Sequence, residues 1–219
     1  DGLIKNSSEL IRGVQEAVGK SFPFIGGASS DDLTFSKTYQ YFQNRILTNS
    51  AVGILWGGEM NFGLGIKHGW KPLGKPHTAT DTEGNIIKKI DNQPAIKIYE
   101  DYFGRETRDL LSDKLARMAI LYPIGIYVPG EKEYLLRNTL GVTAEGHLVC
   151  QGEVPNESEI RLMIGSKDSC LAAAREAALE AKEALGGKEV LLLIIFDSIS
   201  RRKLLGRDTG KEIEIIREV

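Results

Sequence analysis

The sequence predicts an α+β fold (a mixed α/β chain) in which antiparallel-rich, curved sheets are covered by helices. Three observations carry this. Short apolar stretches of strand length recur along the chain, and the turns between them, at Gln43-Asn44, Gly57-Gly58 and Glu83-Gly84-Asn85, are too short for parallel crossovers. Two segments, one from Leu10 to Val18 and one from Leu171 to Leu185, instead repeat apolar residues at three and four. The longest apolar run, residues 190–196, falls far short of the ~20 residues of a membrane span.

The elements follow in order. Ser7-Ser8-Glu9 supplies a hydroxyl cap for a helix whose stripe is Leu10, Val14, Ala17 and Val18. Pro23-Phe24-Ile25 reads as a short buried strand, and Gly26 to Asp32 as a loop. Residues 38–42 and 45–48 form a hairpin, and residues 51–56 and 61–67 read as two further strands. His68 to Gly74 is a turn, and Asp91-Asn92-Gln93-Pro94-Ala95 opens a helix with Ala95, Ile98, Tyr99 and Tyr102 on one face. A second short helix is expected over 107–115. Strands follow at 119–128, 133–137, 147–151 and 159–164. Ser166 or Asp168 caps the strongest helix, which Gly186-Gly187 stops. Residues 190–196 read as a fully buried strand and 211–219 as a final amphipathic helix. Pro72 and Pro76 bracket a turn at 74–77, which divides the chain into 1–75 and 76–219; one continuous sheet is the other reading.

Composition narrows the function classes. With 28 Lys and Arg against 30 Asp and Glu, the net charge of −2 argues against a nucleic-acid surface. Cys150 and Cys170 cannot form a disulfide framework and read as free thiols. The amino end is not a basic region followed by an apolar one, so cytoplasm is the expected compartment and no membrane association is expected. The chain starts at Asp1 without a methionine, as a piece of a longer protein would.

The loop Gly26-Gly27-Ala28-Ser29-Ser30-Asp31-Asp32 is the candidate ligand site. Two glycines let main-chain N–H groups approach a ligand, and Ser29, Ser30, Asp31 and Asp32 can fix an ammonium group. A tight turn with an Asx cap is the structural alternative. Arg201 follows an apolar strand, where open sheets place ligand contacts, and a guanidinium clamps a carboxylate bidentately. Asp197 is the alternative partner for Arg201. An amino acid needs one clamp of each sign, which Arg201 and Asp31-Asp32 can supply. His68 and His77 flank the turn, where a histidine near the surface is the ordinary reading, and no cofactor is expected. No Cys-x-x-Cys or Gly-x-Ser-x-Gly pattern points to zinc or to a serine hydrolase, and simple capping accounts for Ser166.

Four blocks in order carry a resemblance. They are PFIGGASSDD from Pro23, GIKHGWKPLG from Gly65, TATDTEGNIIKKIDNQPAIKIYEDY from Thr78, and LIIFDSISRRKLLG from Leu193. Together they resemble the FIST family of sensory domains in bacterial and archaeal signal transduction. The resemblance implies the later part of a FIST N-terminal domain over 1–75 and most of a C-terminal domain over 76–219, truncated at its end. It implies a non-catalytic module that binds an amino acid or related metabolite and signals to a partner such as a histidine kinase, cyclase or chemoreceptor. A haem-based nitric-oxide sensor, for which the resemblance makes His68 and His77 the axial candidates, and a ligand-free interaction module are the alternatives. Ser198 stands where the family often has cysteine, and Pro155-Asn156-Glu157 replaces its Pro-Glu-Gly turn. Family members carry further strands on both flanks, so a piece of this kind is expected to expose unpaired sheet edges.

Overall fold

The computed structural model describes residues 1–3, 7–19, 21–31, 34, 36–104 and 121–219. The fold is α+β, with helices and antiparallel sheets and, among the described residues, no closed barrel. The described chain parts into two compact units, one of residues 1–67 with 171–219 and one of residues 68–170.

The second unit holds two sheets. Strands β3 (Lys71–Ala79), β7 (Ile124–Ile126), β8 (Leu135–Arg137) and β11 (Ser158–Ile164) build the first, in the order β3-β11-β7-β8. Strands β4 (Asp81–Glu83), β5 (Ile86–Ile90), β9 (Thr139–Val142) and β10 (Leu148–Cys150) build the second, in the order β4-β5-β10-β9. A short β6 (Gln93–Pro94) adds to β5, and every pairing is antiparallel. Helix α2 (Lys97–Phe103) packs Ile98 and Tyr99 into the core. Ile87, Leu148, Ile160, Leu162 and Tyr99 are all fully buried, each contributing about 1.5–3 kcal/mol if apolar burial is taken alone. The Tyr99 hydroxyl stays satisfied there, donating to the Tyr122 carbonyl at 2.9 Å and lying 3.0 Å from Thr139 Oγ1.

The turn expected at 74–77 is instead part of β3. Two prolines fit that strand because it lies at the edge of its sheet, where a missing N–H breaks no ladder. The turn chemistry appears as a bulge: the register passes from His77 opposite Ile160 to Leu73 opposite Leu162, so three residues of β3 face one of β11. Gly74 takes φ +71° in that bulge.

The first unit contains helix α1 (Ser7–Val18), the hairpin of β1 (Gln40–Phe42) and β2 (Arg45–Leu47), and most of helix α3 (Lys167–Ala184). It ends with α4 (Ile199–Leu205), a 3-10 turn (Gly206–Asp208) and α5 (Thr209–Glu218). Ser166 caps α3, its Oγ accepting from the Ser169 N–H at 3.1 Å, and Gly186 and Gly187 at positive φ end the helix as expected.

Four expected strands are not formed. Residues 23–25, 51–56, 61–67 and 190–196 join no ladder, and Leu191 is 89% exposed although its stretch reads as fully buried. Strand propensity measures fit to a neighbouring pleated surface, and no described residue offers these segments a hydrogen-bonding edge. Residues 63 and 65 have a different neighbour: their glycines lie on the alanine face of α3. Helix α4 and strand β9 were not expected, and the helix expected over 107–115 lies outside the described residues.

Candidate ligand site

All of the sequence-derived ligand residues that are described lie in the first unit. Gly26 has open space where a Cβ would project, and Gly27 packs on Phe196, whose Cδ1 would lie 3.3 Å from a Cβ at residue 27. Phe196 precedes α4, five residues before Arg201 in the chain.

The hydroxyl end of the loop is braced. Ser29 Oγ accepts from Gln40 Nε2 at 2.6 Å, and its carbonyl accepts from the Gly2 N–H at 3.0 Å. Gln40 is buried beside Thr38 and accepts from the Ser50 N–H through Oε1. Sequence reasoning missed this support, although Thr38 and Gln40 share one parity of the stretch read as a strand over 38–42, which marks polar residues at core positions. Asp31 closes the loop as an Asx cap, with Oδ2 accepting from the Thr34 hydroxyl at 2.8 Å and the Ser36 N–H at 2.9 Å. Ser30 is exposed, and Asp32 lies outside the described residues.

Arg201 is buried on α4 between two carboxylates. Its Nη2 bonds Glu212 Oε1 of α5, and its Nε lies 3.4 Å from Asp197 Oδ1. The pairing of Arg201 with Asp197, named as the alternative to a ligand contact, is present in the geometry; Glu212, eleven residues on, was not foreseen. Ser198 caps α4 by accepting from the Ser200 N–H at 3.2 Å. The Ser200 hydroxyl, next to Arg201 in sequence, is buried without a hydrogen-bond partner among the described residues.

The two histidines belong to the second unit. His68 uses both ring nitrogens: Nδ1 accepts from the Trp70 N–H at 2.9 Å, and Nε2 lies 3.1 Å from the Tyr134 carbonyl and 3.0 Å from Glu133 Oε2. His77 Nδ1 lies 2.7 Å from Asp91 Oδ2, while Asp91 Oδ1 accepts from the Thr78 N–H at 2.8 Å. Burial pushes the Asp91 carboxyl up, but these bonds and the His77 and Lys75 charges outweigh it and hold it below its ordinary range. Of the two, His77 is the one whose Nε2 makes no hydrogen bond to a described residue. Among the described residues no group of three or more His, Cys, Asp or Glu is placed to hold a metal ion.

Comparison with known proteins places the chain. A FIST N domain matches residues 1–93, and a FIST C domain matches residues 95–219. The chain belongs to the FIST family. FIST domains are sensory domains of signalling proteins and are not catalytic ones. An uncharacterized protein of Methanocaldococcus jannaschii is 28% identical over 88 residues, which is 40% of this chain and 17% of that protein. Uncharacterized proteins of Mycobacterium bovis and Mycobacterium tuberculosis are each 22% identical over 120 residues, 53% of this chain and 31% of theirs. The FIST chain thus spans under a third of the length of these relatives. No solved structure matches it. No helix among the described residues is long and apolar enough to cross a membrane.

Proposed function

We propose that this FIST chain binds an amino acid or a related small metabolite at the corner formed by the 26–31 loop and the start of α4. Binding is relayed to a signalling partner such as a histidine kinase, cyclase or chemoreceptor, in the cytoplasm. The observation that carries the reading is the contact of Gly27 with Phe196, which lies five residues before Arg201 in the chain. Main-chain N–H groups at Gly26 and Gly27 and the Arg201 guanidinium suit a carboxylate. Ser29, Ser30 and the Asp31-Asp32 pair suit an ammonium group. The buried Ser200 hydroxyl lacks a partner among the described residues, a cost of about 1–3 kcal/mol that a polar ligand offsets.

The test is thermal unfolding of the chain against amino acids, small carboxylates, nucleotides and haem. A ligand at about 100 times its Kd adds about 2.7 kcal/mol to the folded state, or several degrees in a chain of this size. A selective rise with amino acids supports the reading. A cooperative melt that no amino acid or carboxylate shifts contradicts it, and a rise with haem alone moves the site to His77.

A further inference from the structure

We infer that Arg201 and Glu212 form a carboxylate-exchange latch, through which a bound carboxylate undocks α5. The inference rests on the ligand reading above and supplies its output. Helix α5 is held in an unusual way. Its buried residue is Glu212, whereas Ile213 is exposed and Ile215 and Ile216 are half-buried. An amphipathic helix normally docks by its apolar stripe. Here the group driven furthest inside is a charge, and it is bonded to Arg201 of α4. Two polar ties to α3 from the end of α5 are exposed: Arg175 to Glu218 at 3.0 Å, and Lys182 to the carbonyl of Val219, just past the helix. Exposed pairs of this kind hold weakly.

An apolar contact cannot be competed away by a small polar solute, but a carboxylate on a guanidinium can, because the competitor brings the same chemistry. Arg201 already lies against Asp197, so its guanidinium sits in a place built for anionic oxygens. A ligand carboxylate entering beside Ser200 and taking the place of Glu212 leaves that glutamate without its counter-ion. A buried glutamate without a partner is strongly disfavoured, so Glu212 turns to solvent and α5 leaves α4. The ligand then binds the undocked state better than the docked one, which is the condition for a signal.

Hydrogen exchange of the 219-residue chain reads this directly, using sodium acetate, methylammonium chloride and L-alanine as probes. Acetate and L-alanine should raise exchange in α5 by tenfold or more while leaving α3 protected; methylammonium should not. Glu212→Gln should raise α5 exchange without any probe. The double variant Arg201→Met with Glu212→Leu replaces the pair by apolar contact, so α5 should stay protected and cease to respond to acetate. If L-alanine raises the melting temperature but leaves α5 exchange unchanged, the latch is wrong and the ligand reading stands. If no probe binds, the ligand reading falls for that class, and unchanged α5 exchange in a folded Glu212→Gln protein then overturns the latch separately.

Discussion

Gly65 lies so close to Ala177 that a Cβ at residue 65 would fall 1.8 Å from the Ala177 carbonyl oxygen. Gly63 stands in the same relation to Ala181, one helical turn along α3, again at 1.8 Å. The chain over 63–65 therefore runs along the helix backbone itself, over a face of alanines. Gly65→Ala should force the two apart and cost about 1–3 kcal/mol, the usual range for overpacking. Gly57→Ala is the control, since nothing lies within 4 Å of a Cβ there. Denaturant titration should show a lowered midpoint for the first variant and a near-neutral second one.

The Tyr99 hydroxyl is fully buried and bonded to Tyr122 and Thr139. Burial pushes its ionisation far above the ordinary tyrosine range, outweighing the Thr139 bond. Tyr99→Phe leaves the Thr139 hydroxyl short of a partner and should cost about 1–3 kcal/mol. Urea unfolding followed by circular dichroism checks it, and Tyr102→Phe, at an exposed ring with only a 3.5 Å hydroxyl contact, should cost much less.

Much of this was legible in the sequence because the signals were local. Gln43-Asn44 and Glu83-Gly84-Asn85 are turns by their own chemistry, and Leu171 to Leu185 is a helix by its own period. Residues 190–196 fail for the opposite reason. Their composition specifies a strand, but a ladder needs a neighbour, and composition does not supply one. Pro72 and Pro76 mark an interruption in either a turn or an edge strand, and only the pairing with β11 decides between them. The loop and Arg201 were legible as candidate residues by their types, and the contact of Gly27 with Phe196 was not. Glu212 was not legible as a partner of Arg201, because nothing in a helix period says which charged residue will turn inward.

Asp91 links β3 to the turn that precedes β6, and its carboxyl is held below its ordinary value. A group with a depressed folded pKa contributes stability that is fully present above its unfolded value, about pH 3.9. That contribution is lost as pH falls through the lower, folded value. Asp91→Asn should therefore flatten the acid limb of the stability curve below about pH 4 while changing its slope little at pH 6–8. An unchanged acid limb would mean that the carboxylate is not charged against His77 and Thr78 in solution.

Both cysteines are fully buried, and burial pushes the Cys150 thiol up to about 12, with the Arg137 charge and the Thr139 hydrogen bond opposing the shift. Since the thiolate is the reactive form, neither residue should react with an aromatic disulfide reagent at pH 8 in the folded protein. Both should react once it is unfolded. Rapid native labelling at Cys150 would show that the core around Tyr99 opens readily.

The most direct test of ligand binding at the loop is an amide chemical-shift titration with the amino acid that raises the melting temperature most. The account predicts the largest movements at Gly26, Gly27 and Ser29, together with the Arg201 side-chain Nε–H. Movements concentrated around His68 and His77, with the glycine amides still, would contradict it.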